Sequence, residues 1–125
     1  MPPFAQHLDK ARENLSFVAF LKSSATSYFD WMILAYFLAA LHHVEAYFDH
    51  CFGKSYGSHY DRRQAIRMDA RLSTFWNHYR ALETYSQTAR YGVKKFDQKY
   101  VDSRVAPHFQ TLQRGIEGLA SKLKL

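Results

Sequence analysis

The segment Tyr28-Phe29-Asp30-Trp31-Met32-Ile33-Leu34-Ala35-Tyr36-Phe37-Leu38-Ala39-Ala40-Leu41 carries one charge, Asp30, and is apolar on nearly every side of a helix. A helix of that kind is stable in water only when neighbours cover it, which puts it at the centre of a helical bundle. Its unbroken apolar part, Trp31 to Leu41, is 11 residues long, well below the ~20 that a membrane span requires. The helical pattern continues past it, predicting one long helix over 27–52.

The rest of the chain supplies the covering elements. Leu8, Ala11, Leu15, Val18 and Leu21 or Ala19 recur at three- and four-residue steps, predicting a first helix over 4–22. Ser23-Ser24-Ala25-Thr26-Ser27 is a polar break with side chains suited to capping the next helix. Gly53 is placed to end the long helix, and Ser58 to cap a third helix running to about Leu72. A fourth, about Ser73 to Arg90, has Phe75, Tyr79, Leu82, Tyr85 or Ser86 and Ala89 along one stripe. Helices three and four are either continuous or bent between Asp69 and Thr74. Gly92 marks a second loop, and a last helix covers about 97–123 with Val101, Val105, Phe109, Leu112, Ile116, Leu119 and Leu123 on one face. Pro107 falls inside it and predicts a kink or a late start.

The expectation is therefore an all-α, up-and-down bundle of four to five helices forming one domain over 1–125. Five glycines and three prolines leave few breakers for a many-turned β sandwich. The single Cys51 excludes an internal disulfide and a multi-cysteine zinc site, and fits a reducing cytoplasm. The N-terminus, Met1-Pro2-Pro3-Phe4-Ala5-Gln6-His7, shows no basic segment followed by an apolar run, so no secretory signal is expected.

The formal charge is +6, with seven further histidines, which favours phosphate-bearing partners and nucleic acid in particular. The basic stretch is Arg62-Arg63-Gln64-Ala65-Ile66-Arg67-Met68-Asp69-Ala70-Arg71. Arg63, Arg67 and Arg71 are spaced by four and share a helix face; guanidinium groups so aligned call for an anion or for acids such as Asp61, Asp69 or Glu83. His59 precedes the arginines by one turn, and their charge opposes its protonation. His59, Arg62, Arg63 and Arg67 are thus candidates for binding RNA or a nucleotide. Arg71 and His78, seven apart, share a face if one helix spans both; such a pair suits metal-free RNA cleavage, the histidine moving a proton and the arginine offsetting transition-state charge. His42, Glu45 and Asp49 also share a face, but no second cluster supplies further metal ligands, and a buried, hydrogen-bonded histidine is the better reading. No metal and no cofactor are expected: there is no glycine-rich phosphate loop, serine-nucleophile motif or carboxylate pair.

The segments Ala39-Ala40-Leu41-His42-His43-Val44-Glu45-Ala46-Tyr47, Ser58-His59-Tyr60-Asp61-Arg62-Arg63, Tyr79-Arg80-Ala81-Leu82 and Ser86-Gln87-Thr88-Ala89-Arg90-Tyr91-Gly92, in that order, resemble the small HEPN-domain proteins of bacteria and archaea. The resemblance covers about 28–95. It implies a helical bundle that commonly forms a homodimer and works in stress, defence or toxin–antitoxin systems, with an antitoxin or nucleotidyltransferase as partner. Active members are metal-independent ribonucleases whose motif is Arg, four to six residues, then His. Arg71 and His78 meet that spacing, although Leu72 stands where a polar residue usually follows the arginine. Other members lack the motif and bind RNA, nucleotides or protein partners.

Overall fold

The apolar segment lies at the centre of the molecule. The structure, a computed structural model, describes residues 3–24 and 28–122. Five helices carry the fold: α1 (Pro3–Ser23), α2 (Phe29–Phe52), α3 (His59–Met68), α4 (Trp76–Tyr91) and α5 (Ala106–Lys122). There is no strand among the described residues, and no helix among them is long and apolar enough to cross a membrane. Residues 25–27 of the expected polar break, and Leu123, lie outside the described residues.

Helix α2 packs against α1, α4 and α5. Ala35, Ala39 and Ala40 are almost fully buried, and their small side chains allow the neighbouring helices to approach closely. The covering is densest from Ala39 to Phe48, where only His42 keeps partial access to solvent. The start of the helix is barer than expected: Trp31 is 55% exposed, and Leu34 and Leu38 are half-buried. The expected stripes of the other helices turn inward. Ala11, Val18 and Leu21 of α1, Tyr79, Leu82, Ser86 and Ala89 of α4, and Phe109, Leu112 and Ile116 of α5 are buried.

The capping residues explain where the helices stop. Gly53 adopts φ 63°, the left-handed conformation open to glycine, and its N–H donates to the Asp49 carbonyl. Ser58 accepts the Asp61 N–H at 3.1 Å and starts α3. Helices α3 and α4 are separate. Asp69 leaves the helical conformation (φ −81°, ψ 125°), and its carboxylate accepts the N–H groups of Arg71 and Leu72 at 2.9 and 2.8 Å. A 3₁₀ turn, Leu72–Phe75, then leads into α4. The expectation that α3 reaches Leu72 fails because an aspartate that caps the next turn cannot also continue the previous one.

Pro107 marks a late start of α5 without breaking the helical run that precedes it. A single turn, Gln98–Tyr100, passes into a π-helical turn, Val101–Val105, and then into α5. The Ala106 N–H donates to the Val101 carbonyl five residues back. The wider turn absorbs the proline, which has no N–H to donate and whose ring crowds the carbonyl four residues before it. Pro107 thereby occupies the first turn of α5, where it is tolerated.

Candidate nucleic-acid interface

Four residues of the basic stretch and its flank have four different fates. Arg62 points into the core and is 6% exposed. Its Nε donates to Glu45 Oε1 at 2.6 Å, and its terminal nitrogens donate to the Tyr56 carbonyl and, at 3.2 Å, to His59 Nδ1. The Tyr56 N–H completes the arrangement by donating to Glu45 Oε2 at 3.0 Å. Arg62 therefore ties the 53–57 loop and α3 to the central helix and is not available to a ligand, contrary to the expectation from sequence. Arg63 is one third exposed, with Nε bonded to Glu83 Oε1 of α4 at 2.6 Å. Arg67 is exposed and lies over the Trp76 ring, 5.5 Å from its centroid. His59 is half exposed on its side chain and faces Glu83 Oε2 at 3.7 Å, beyond hydrogen-bond range.

His59, Arg63 and Arg67, spaced by four, thus form a row on α3 along its seam with α4. Arg71 does not extend it, because α3 has ended; its guanidinium lies beside the Tyr47 hydroxyl. His78 faces the other way, with Nδ1 2.9 Å from Nδ1 of His108 on α5. The fold puts Arg71 and His78 on different elements with different neighbours, so the shared helix face on which their pairing depended is absent.

The chemistry of the seam follows from its donors and acceptors. Arginine can only donate, so the lone pair of His59 Nδ1 is engaged by Arg62. Neutral His59 then carries its proton on Nε2. Burial lowers its pKa, and Arg62 lowers it further; Glu83 opposes both. The sequence points to the arginines alone, whereas burial is the larger cause. His59 is therefore a neutral donor rather than a base, since the nitrogen that would take a proton is already an acceptor. Among the described residues no protein donor reaches Glu83 Oε2, which is buried. Glu83, Gln87, Arg90 and Tyr91 join His59 around a cavity of about 120 Å³, with Phe37 and Ser86 as its floor. Glu45 and Glu83 are matched by Arg62 and Arg63. Arg67 and Arg90 have no carboxylate partner among the described residues; Arg90 lies 5.9 Å from the centroid of the Tyr91 ring.

The sequence alone placed Glu45 with His42 and Asp49, and gave Arg90 only as the end of the fourth helix. Glu45 was detectable in principle: a single carboxylate between Val44 and Ala46 on a buried helix demands a cation. The two histidines before it behave as expected of packing residues. His43 is buried and donates from Nδ1 to the Ala39 carbonyl at 2.9 Å. His42 Nδ1 lies 3.0 Å from His7 Nδ1 of α1. Among the described residues no group of three His, Cys, Asp or Glu could hold a metal ion.

Comparison with protein-family models, with curated proteins and with solved structures found no match to this chain.

Proposed function

We propose that this protein is a HEPN-like module that binds RNA or a nucleotide along the α3–α4 seam without cleaving it. The observation that carries the reading is the seam's surplus of fixed positive charge: Arg67 and Arg90 stand without carboxylates at either end of a row that includes neutral His59 and the paired Arg63. A nucleotide offers what these groups lack. Its phosphates suit Arg67 and Arg90, and an acceptor suits the His59 Nε2–H. Binding is favoured over catalysis because His59 has no free basic nitrogen and Arg71 and His78 have separate neighbours. The all-helical bundle and the order of its elements support the HEPN-like assignment.

The test is titration of labelled single-stranded RNA at several salt concentrations. Affinity should fall as salt rises, and Arg67→Ala and Arg90→Ala should each reduce the log–log slope by about 0.7, the share of one phosphate contact on a single strand. Salt-independent binding, or none, refutes the reading. A homodimer belongs to the same proposal: Phe52 and Met68, 55% and 83% exposed, border an apolar groove over Phe48 and Ala65 that a second copy would cover. Light scattering that returns the 14.7 kDa chain mass across a wide concentration range removes that part.

A further inference from the structure

The seam opens into a longer furrow. The His59 cavity shares Arg90 and Tyr91 with a depression of about 420 Å³ against Trp31 and Leu34. That depression shares Asp30 and Trp31 with a third, of about 550 Å³, which reaches Lys94 and Lys95. The sequence presented these elements as unrelated: the start of a helix expected to be covered, and a loop.

Two properties of the furrow stand out. Its aromatic rings face water, with Tyr28, Trp31 and Tyr91 exposed by 60, 55 and 79%. Beyond the His59 cavity its charge is lopsided, with Arg90, Lys94 and Lys95 against the single carboxylate of Asp30. Lys94 is steadied without being neutralised: its Nζ lies 4.4 Å from the centroid of the Tyr100 ring and donates to its hydroxyl at 3.3 Å. Rings and cations alternating along an open groove match a single nucleic-acid strand, whose bases stack and whose phosphates need cations. A duplex fits poorly, because its bases already stack on one another. A second copy of this chain fits poorly too, because a two-fold contact would set the same excess of positive charge against itself.

We infer that the furrow binds single-stranded nucleic acid, with bases stacked on Trp31 and its aromatic neighbours and the backbone held by Arg90, Lys94 and Lys95. The inference rests on the nucleic-acid reading of the seam and extends it from one nucleotide to a strand of several. It requires that affinity grow with strand length. An oligonucleotide of about 12 residues, within the usual span of such grooves, should bind far more tightly than a mononucleotide. Trp31→Ala should weaken oligonucleotide binding by roughly 5- to 150-fold, the loss typical of one stacked base, and leave mononucleotide binding unchanged. The same substitution should remove most of the tryptophan quenching that oligonucleotide binding causes. Lys94→Gln with Lys95→Gln should lower the salt slope and leave the aromatic rings in place. Ribose and deoxyribose strands of one sequence distinguish the two sources of this ligand; tighter binding with length on either supports the inference, and the tighter of the two names the source. If Trp31→Ala matches wild type while Arg67→Ala still weakens binding, the furrow is not used and the seam reading survives. If no nucleic acid binds, both fail. If Trp31→Ala turns a dimer into a monomer, the furrow belongs to a second copy and the inference is overturned.

Discussion

Replacing Arg62 by alanine separates a structural role from a ligand-binding one. In the fold, Arg62→Ala removes the donor to Glu45 Oε1 at 2.6 Å and the donors to the Tyr56 carbonyl and His59, and it leaves Glu45, itself 2% exposed, with only the Tyr56 N–H. A carboxylate stranded in this way typically costs about 3–5 kcal/mol. For a chain of this size each kcal/mol shifts Tm by about 3–5 °C, so the midpoint should fall by roughly 10–25 °C. Thermal and urea unfolding followed by circular dichroism provide the measurement. Glu45→Met with Arg62→Met should recover most of the loss, because a buried ion pair is often replaced by apolar side chains at little cost. The opposite result would refute the argument: an Arg62→Ala protein as stable as wild type but impaired in RNA binding would put the guanidinium on the surface, as the sequence by itself suggests.

Three further outcomes are expected. Gly115→Ala should destabilise the fold by about 1–3 kcal/mol in urea titration, since a Cβ there would overlap the Phe75 ring, whose nearest atom would lie well inside van der Waals contact with the added carbon. Stability should fall on acidification from about pH 7.5 to 5 as the unfolded chain takes up protons that folded His42 refuses; burial, with His7 and Lys10 adding to it, lowers its pKa to about 4, and His42→Gln should flatten the slope of Tm against pH. Labelled RNA incubated with the protein in EDTA should remain intact; cleavage that disappears in both Arg71→Ala and His78→Ala would instead restore the ribonuclease reading.

The elements of the fold were legible because they depend on local order along the chain. The apolar segment before His42 needed cover and found it from Met32 onward, while Tyr28 and Trp31 stayed exposed; the stripes of α1, α4 and α5 turned inward; Gly53 and Ser58 stop and start helices where their backbone and side-chain chemistry says they should. Boundaries were less legible where one side chain serves two elements, as Asp69 does, or where the backbone widens to accept Pro107. The candidate site was legible in part. His59, Arg63 and Arg67 share a face of α3 by their spacing, and helical periodicity alone puts them together. Which arginine meets water was not legible, since Arg62 and Arg63 are neighbours in sequence and a helix turns them about 100° apart, one onto Glu45 of α2 and the other onto Glu83 of α4. The meeting of Trp31 with Arg90 and Lys94 was also hidden, because it joins the start of one helix to the end of another. Local pattern determines which residues share a face; only tertiary packing decides what each face meets, because that depends on groups distant in the chain competing for the same buried space.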